Sequence, residues 1–121
     1  MDLSTSTIIM IILLVGFFTW RLIPVKGVRN ITTGQLKAEL GDKNKQYIDV
    51  RTPMEFKGRN IKGFKNIPLD QLSNKAATLA KDKEVIVICQ SGMRSTQASK
   101  ILKKLGFKQI TNVKGGMSAW N

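Results

Sequence analysis

The chain has 121 residues, a single cysteine (Cys89) and no histidine. That length holds one ordinary domain, and the composition excludes a Ser-His-Asp triad, a Cys-His protease pair, an intramolecular disulfide and a Cys/His zinc site from one chain. The formal charge of +12, from 20 Lys and Arg against 8 Asp and Glu, attracts anions of every kind, from small oxyanions to lipid headgroups and nucleic acid.

The charge is unevenly spread. Up to Pro24 the charged residues are Asp2 and Arg21, which cancel, so the whole excess lies from Val25 onward. Between them Ile8–Trp20 runs for 13 residues without a charge. Extended to Leu3–Ile23 it covers 21 residues, interrupted only by Arg21. As a helix that stretch measures roughly 31 Å, the thickness of a hydrocarbon core. Residues 3–23 are therefore expected to form a transmembrane anchor, with Trp20 at the interface and Arg21 reaching towards headgroups. A cleaved signal peptide fits less well, because only Asp2 precedes the apolar run and no A-x-A-like site follows it, and a buried core helix is the other lesser alternative. Arg21, Lys26, Arg29 and Lys37 all lie on the C-terminal flank. The positive-inside rule then makes this a single-pass protein of the cell membrane, its N-terminus outside and its domain cytoplasmic. In that reducing compartment Cys89 is a free thiol.

Pro24 and Gly27 punctuate a linker over residues 24–30, and residues 31–121 read as one domain. Thr32-x-x-Gln35 resembles a capping box opening a helix through Leu40, with Gly41 placed to stop it. Tyr47–Val50 is a short strand, closed by Thr52-Pro53. Glu84–Cys89, EVIVIC, is the continuous β-branched run of a strand buried on both faces. Past the turn at Gln90-Ser91-Gly92, residues Ala98, Ile101, Leu102 and Leu105 recur at helical spacing, and Gly106 occupies a C′ position. Gln109–Val113 reads as a further strand before the loop Lys114-Gly115-Gly116. Alternating strands and helices predict an α/β fold with a parallel sheet flanked by helices.

Ligands of such sheets bind beyond the carboxyl ends of the strands. Cys89 ends the most hydrophobic strand, and Gln90-Ser91-Gly92-Met93-Arg94-Ser95 leads from it into a helix. The unpaired N–H groups of a tight glycine turn and of a helix's first turn, with the helix dipole, form an anion cradle. A thiolate at its rim is favoured by those N–H groups. Arg94 adds a fixed charge with bidentate reach for a sulfur or phosphorus oxyanion. Read without that context, Cys89 is a small buried hydrophobe.

The sequence also carries Asp49-Val50-Arg51, Glu55-Phe56, Gly58, Ile61, Gly63, Asn66-Ile67-Pro68, the loop Cys89–Ser95 and Gly115-Gly116-x-x-Ala119-Trp120. In that order, from Tyr47 to Trp120, these pieces resemble a single-domain rhodanese. The resemblance implies a rhodanese-like α/β fold with a mostly parallel sheet of about five strands, and a Cys89 that carries sulfur as a persulfide. A small anionic donor such as thiosulfate would supply the sulfur. Cyanide, a thiol or a protein cysteine would accept it, and no cofactor or metal is needed. Cys89 is then the catalytic nucleophile, and Gln90, Ser91, Gly92, Met93, Arg94 and Ser95 bind substrate. Asp49 and Arg51 sit at a strand end, where either could support the site, although an internal hydrogen bond or ion pair is the simpler role for each. Glu55 is expected to pair with a nearby base, and Gly115, Gly116 and Trp120 to serve loop geometry and packing. Met93 either lines the site's mouth or packs beneath its helix. Cysteine phosphatases of similar fold use C-x5-R where this chain has C-x4-R, and Ser95 stands uncharged at the longer loop's arginine position, so a phosphatase or arsenate reductase is the lesser reading. Where relatives commonly read Gly-His-Ile-x-Gly-Ala, this chain has Arg59-Asn60-Ile61-Lys62-Gly63-Phe64, and Asn60 keeps a neutral hydrogen bond but cannot titrate. A non-catalytic docking module at the membrane is the alternative from another class. Anionic lipid is the partner the charge favours. Nucleic acid is not, because the five aromatic residues outside the anchor are scattered rather than interleaved with a basic cluster.

Overall fold

The computed structural model describes residues 4–22 and 26–121. The sheet is parallel throughout, with strands β1 (Val28–Ile31), β2 (Lys45–Asp49), β3 (Lys65–Asn66), β4 (Glu84–Ile88) and β5 (Ile110–Val113) in the order β1-β5-β4-β2-β3. Helices α1 (Thr5–Leu22), α2 (Thr33–Glu39), α3 (Pro53–Gly58), α4 (Leu72–Lys75) and α5 (Met93–Lys104) punctuate it.

The central strand β4 explains why the sheet needs two covered faces. Its side chains alternate: Val85 and Val87 enter one core with Leu72, Ala98 and Leu102, and Ile86 and Ile88 enter the other with Leu36, Val113 and Met117. All four β4 residues from Val85 to Ile88 are 0% exposed. At about 25 cal/mol per Å2 of apolar surface, each such side chain contributes roughly 1.5–3 kcal/mol relative to an exposed one. β4 pairs with β2 from Lys45↔Glu84 to Asp49↔Ile88 and with β5 from Val85↔Ile110 to Val87↔Asn112. Because every strand is parallel, the chain leaves β2, β4 and β5 at the same edge, and the segments that follow Asp49, Ile88 and Val113 meet there.

Local signals set the helices. Thr32 caps α2 through the reciprocal bonds of a capping box with Gln35, and Thr52 does the same for α3 with Glu55, followed by Pro53. α5 ends on Leu105, with Gly106 at φ +94° carrying the chain out of the helix. Val28–Ile31, expected to lie largely in a linker, is instead the edge strand β1, paired with β5 from Val28↔Ile110 to Ile31↔Val113. Its Arg29 closes an ion pair with Glu39 at 2.6 Å, which in turn accepts from Lys45 at 2.8 Å.

The N-terminal expectation is corrected in length. Thr5–Leu22 is helical, but its first three residues are Thr-Ser-Thr, and Arg21 follows Trp20. The uninterrupted apolar run of 13 residues spans only about 20 Å, against roughly 30 Å of hydrocarbon. Among the described residues no helix is long and apolar enough to cross a membrane. The rest of the expected anchor, Leu3 and Ile23, lies outside the described residues. What the helix does present is an exposed apolar surface, including Ile12, Leu13, Phe18 and Trp20. Its C-terminal end also meets the domain, where Lys100 Nζ of α5 lies 4.9 Å from the centre of the Trp20 ring.

Candidate active site

β4 delivers Cys89 to the sheet's carboxyl edge, one residue beyond the strand. The side chain continues the alternation of Val85 and Val87, so it faces α5, and the residue is 0% exposed. Gly92 turns the chain at φ +102°, a left-handed conformation open to glycine, and serves as the N-cap of α5. That turn aims an amide at the sulfur: Gly92 N–H donates to Cys89 Sγ at 2.9 Å. The thiol in turn donates to Ser95 Oγ at 3.4 Å, and Ser95 Oγ donates to the Gly92 carbonyl at 3.1 Å. The sulfur therefore lies under its own loop, against the N-terminus of a 12-residue helix whose dipole favours negative charge there.

A second loop, after β5, holds the cysteine loop from behind. Met117 N–H donates to the Cys89 carbonyl at 2.8 Å and Ser118 N–H to that of Gln90 at 2.9 Å. The approach is so close that a Cβ on Gly116 would fall 2.3 Å from Cys89 O and 2.8 Å from Gln90 C. Gly116 is also at φ +57°, so only glycine meets both demands. Trp120 belongs to the α2-side core cluster and lies beneath Lys37 Nζ, 5.2 Å from the ring centre.

Asp49 and Arg51 form a buried ion pair, 0% and 2% exposed, and neither hydrogen-bonds the sulfur. Arg51 Nε donates to both Asp49 oxygens at 3.1 Å, and Nη2 donates to Oδ2 at 2.8 Å and to the Arg59 carbonyl at 2.5 Å. Its remaining nitrogen Nη1 reaches Gln90 Oε1 at 3.3 Å. The pair thus braces the first residue of the cysteine loop, and Gln90 hands the contact on to Ser118 Oγ at 3.2 Å. This link was missed in the sequence, since nothing local to Gln90 announces a partner 39 residues away.

Arg94 is not an open receptor for an oxyanion. Its two terminal nitrogens donate to Glu55 Oε1 at 2.7 Å and Oε2 at 2.9 Å, the bidentate geometry that a donor would otherwise occupy. Glu55 is the base-paired carboxylate expected from sequence, and α3 positions it through the Thr52 capping box. The Arg94 guanidinium, with the Thr52 backbone N–H, holds the Glu55 carboxyl down to about 2, and Glu55 raises Arg94 in return. Both side chains are about one-third exposed. Flanking them are Met54 and Met93, 83% and 70% exposed, which are the large apolar side chains left exposed among the described residues outside α1. Met93 is thus exposed to solvent rather than packed beneath its helix. Asn60, at the position of the family's common histidine, donates to the Phe56 carbonyl at 2.8 Å.

The family described as rhodanese-like domain matches residues 32–121. The YqhL protein of Bacillus subtilis (strain 168) is 40% identical over 93 residues, covering 77% of this chain and 72% of that one. The thiosulfate sulfurtransferase PspE of Escherichia coli (strain K12) is 37% identical over 71 residues, covering 57% of this chain and 68% of that one. Among solved structures, a rhodanese-like domain protein from Staphylococcus aureus superposes with a TM-score of 0.71 at 34% identity, covering 77% of this chain and 91% of that one.

Proposed function

This chain belongs to the rhodanese-like domain family, and from that premise we propose that it is a sulfurtransferase working through a persulfide on Cys89. One observation carries the reading: the Gly92 amide, at the N-terminus of α5, points at Cys89 Sγ from 2.9 Å. In the first half-reaction the Cys89 thiolate attacks the outer sulfur of an anionic donor such as thiosulfate. The donor's S–S bond breaks, its electron pair leaves with sulfite, and Cys89 keeps the sulfur as a persulfide. In the second, cyanide or a thiolate attacks that outer sulfur and the bonding pair returns to Cys89 Sγ. Both displacements place negative charge on sulfur beside Gly92 N–H and the helix N-terminus, where it is stabilised. The name of the E. coli relative supports thiosulfate as the donor.

Cys89 is 0% exposed, so the donor reaches it only as the loop that covers it gives way, and the part-exposed Arg94 is the charge that draws the donor in. The sulfonate end of thiosulfate then exchanges with the Glu55 carboxylate on the Arg94 fork. Arg94 thus passes from one anion to another without standing empty, and the buried Asp49–Arg51 pair keeps Gln90 in place meanwhile. The six-residue span Cys89–Arg94 also favours a single added sulfur over a phosphoryl group with its three free oxygens. Thiocyanate formation from thiosulfate and cyanide tests the proposal: turnover is expected for the wild type and none for Cys89→Ser. Absence of turnover in the wild type would leave a docking module.

A further inference from the structure

The C-terminal end of α1 and the cysteine loop enclose a cleft of about 760 Å3, lined on one side by Phe18 and Trp20 and on the other by Ser91 and Gly92. That is the size of a small-molecule site. Lys100 and Lys114 also line it, as does Asn112 of β5. Asn112 is 5% exposed, and its Nδ2 donates to Asn30 Oδ1 at 3.0 Å, which fixes the floor of the cleft. The two lysines give the same cleft a positive charge suited to an anion, while exposed Phe18 and Trp20 offer an apolar wall. The inner edge is Gly92, whose amide touches Cys89 Sγ.

We propose that this cleft is the acceptor subsite, and that it takes a low-molecular-weight thiol with an apolar segment and a terminal anion. The assignment rests on the persulfide reading above. The acceptor thiolate attacks the outer sulfur of the Cys89 persulfide, the S–S bond breaks with its electron pair returning to Cys89 Sγ, and the ligand leaves as its own persulfide anion. Two anions meet in that step, and Lys100 and Lys114 offset their repulsion. Cyanide is small enough to react without the cleft.

Binding is tested first in the full chain carrying Cys89→Ser, which forms no persulfide, by calorimetry with N-octanoylglycine. Binding is expected, weakened about tenfold by Trp20→Ala and by Lys114→Gln. Trp20 is 63% exposed, so its removal leaves the fold intact. In chains that keep Cys89, the KM for N-(8-mercaptooctanoyl)glycine rises about tenfold in Trp20→Ala while that for cyanide stays the same. Absent binding, equal binding by all variants, or equal shifts for the two acceptors would overturn the assignment. Failure of the wild type to take sulfur from thiosulfate would instead remove the persulfide reading, and the calorimetry would still report on the cleft.

Discussion

Replacing Glu55 by Gln keeps the side chain's shape and removes the charge that occupies Arg94. The effect on stability follows from the carboxyl's fall from 4.5 to about 2. At 1.36 kcal/mol for each tenfold change in proton affinity, that fall corresponds to about 3 kcal/mol. The pair is one-third exposed, so solvent screening reduces the figure to about 1 kcal/mol. The sign is fixed by linkage: a lowered carboxyl stabilises the fold above its unfolded value and ceases to do so as pH falls through its folded one. Urea unfolding should therefore show Glu55→Gln less stable than wild type by about 1 kcal/mol at pH 7, and the gap should shrink by more than half at pH 3. Function should move the other way. With only a neutral amide oxygen left on its fork, Arg94 meets the donor against weaker competition, and the KM for thiosulfate falls about fivefold, the equivalent of that same 1 kcal/mol. A KM that rises, or a stability gap that ignores pH, would refute the exchange of Glu55 for donor on Arg94.

Gly116→Ala puts a methyl group into the Cys89 carbonyl and a Cβ at positive φ; a loss of about 3 kcal/mol in denaturant unfolding, with loss of sulfur transfer, is expected. Arg51→Met strands the Asp49 carboxylate in the interior and should cost about 3–5 kcal/mol, whereas the double variant Asp49→Leu/Arg51→Met should be less damaging than Arg51→Met alone, as a thermal-unfolding cycle would show. Thr32→Ala removes the α2 cap and should lower stability by about 1 kcal/mol in urea unfolding with thiocyanate production unchanged, since Thr32 Oγ1 accepts from Gln35 N–H at the start of its own helix rather than from the cysteine loop.

The parts of this fold that were legible are those where burial writes itself into the sequence. EVIVIC reads as a strand because both of its faces are covered, and the spacing of Ala98, Leu102 and Leu105 reads as α5 because one side of that helix packs on the sheet. Thr32 and Gly106 mark helix ends because their backbone roles restrict residue choice. β1 was hidden: Val28-Arg29-Asn30-Ile31 is four residues long and half polar, and it becomes a strand only through β5, some 80 residues later. β3, at two residues, carries no period at all. α1 misled in length, because hydropathy counts apolar residues while a span depends on their uninterrupted reach. At the site, the glycine turn at Gly92 and the cysteine at the strand end were visible as local pattern. The closing of Arg94 on Glu55 was not, since both residues occur in the motif but only the fold brings α3 and α5 within 2.7 Å of contact.

The central claim concerns the fate of one sulfur atom. Intact mass spectrometry of the full chain after brief exposure to thiosulfate, under non-reducing conditions, measures it directly. The wild type should gain the mass of a single sulfur and lose it again on adding cyanide, while Cys89→Ser gains nothing. An unmodified wild type, or a gain that survives the loss of Cys89, would contradict the account.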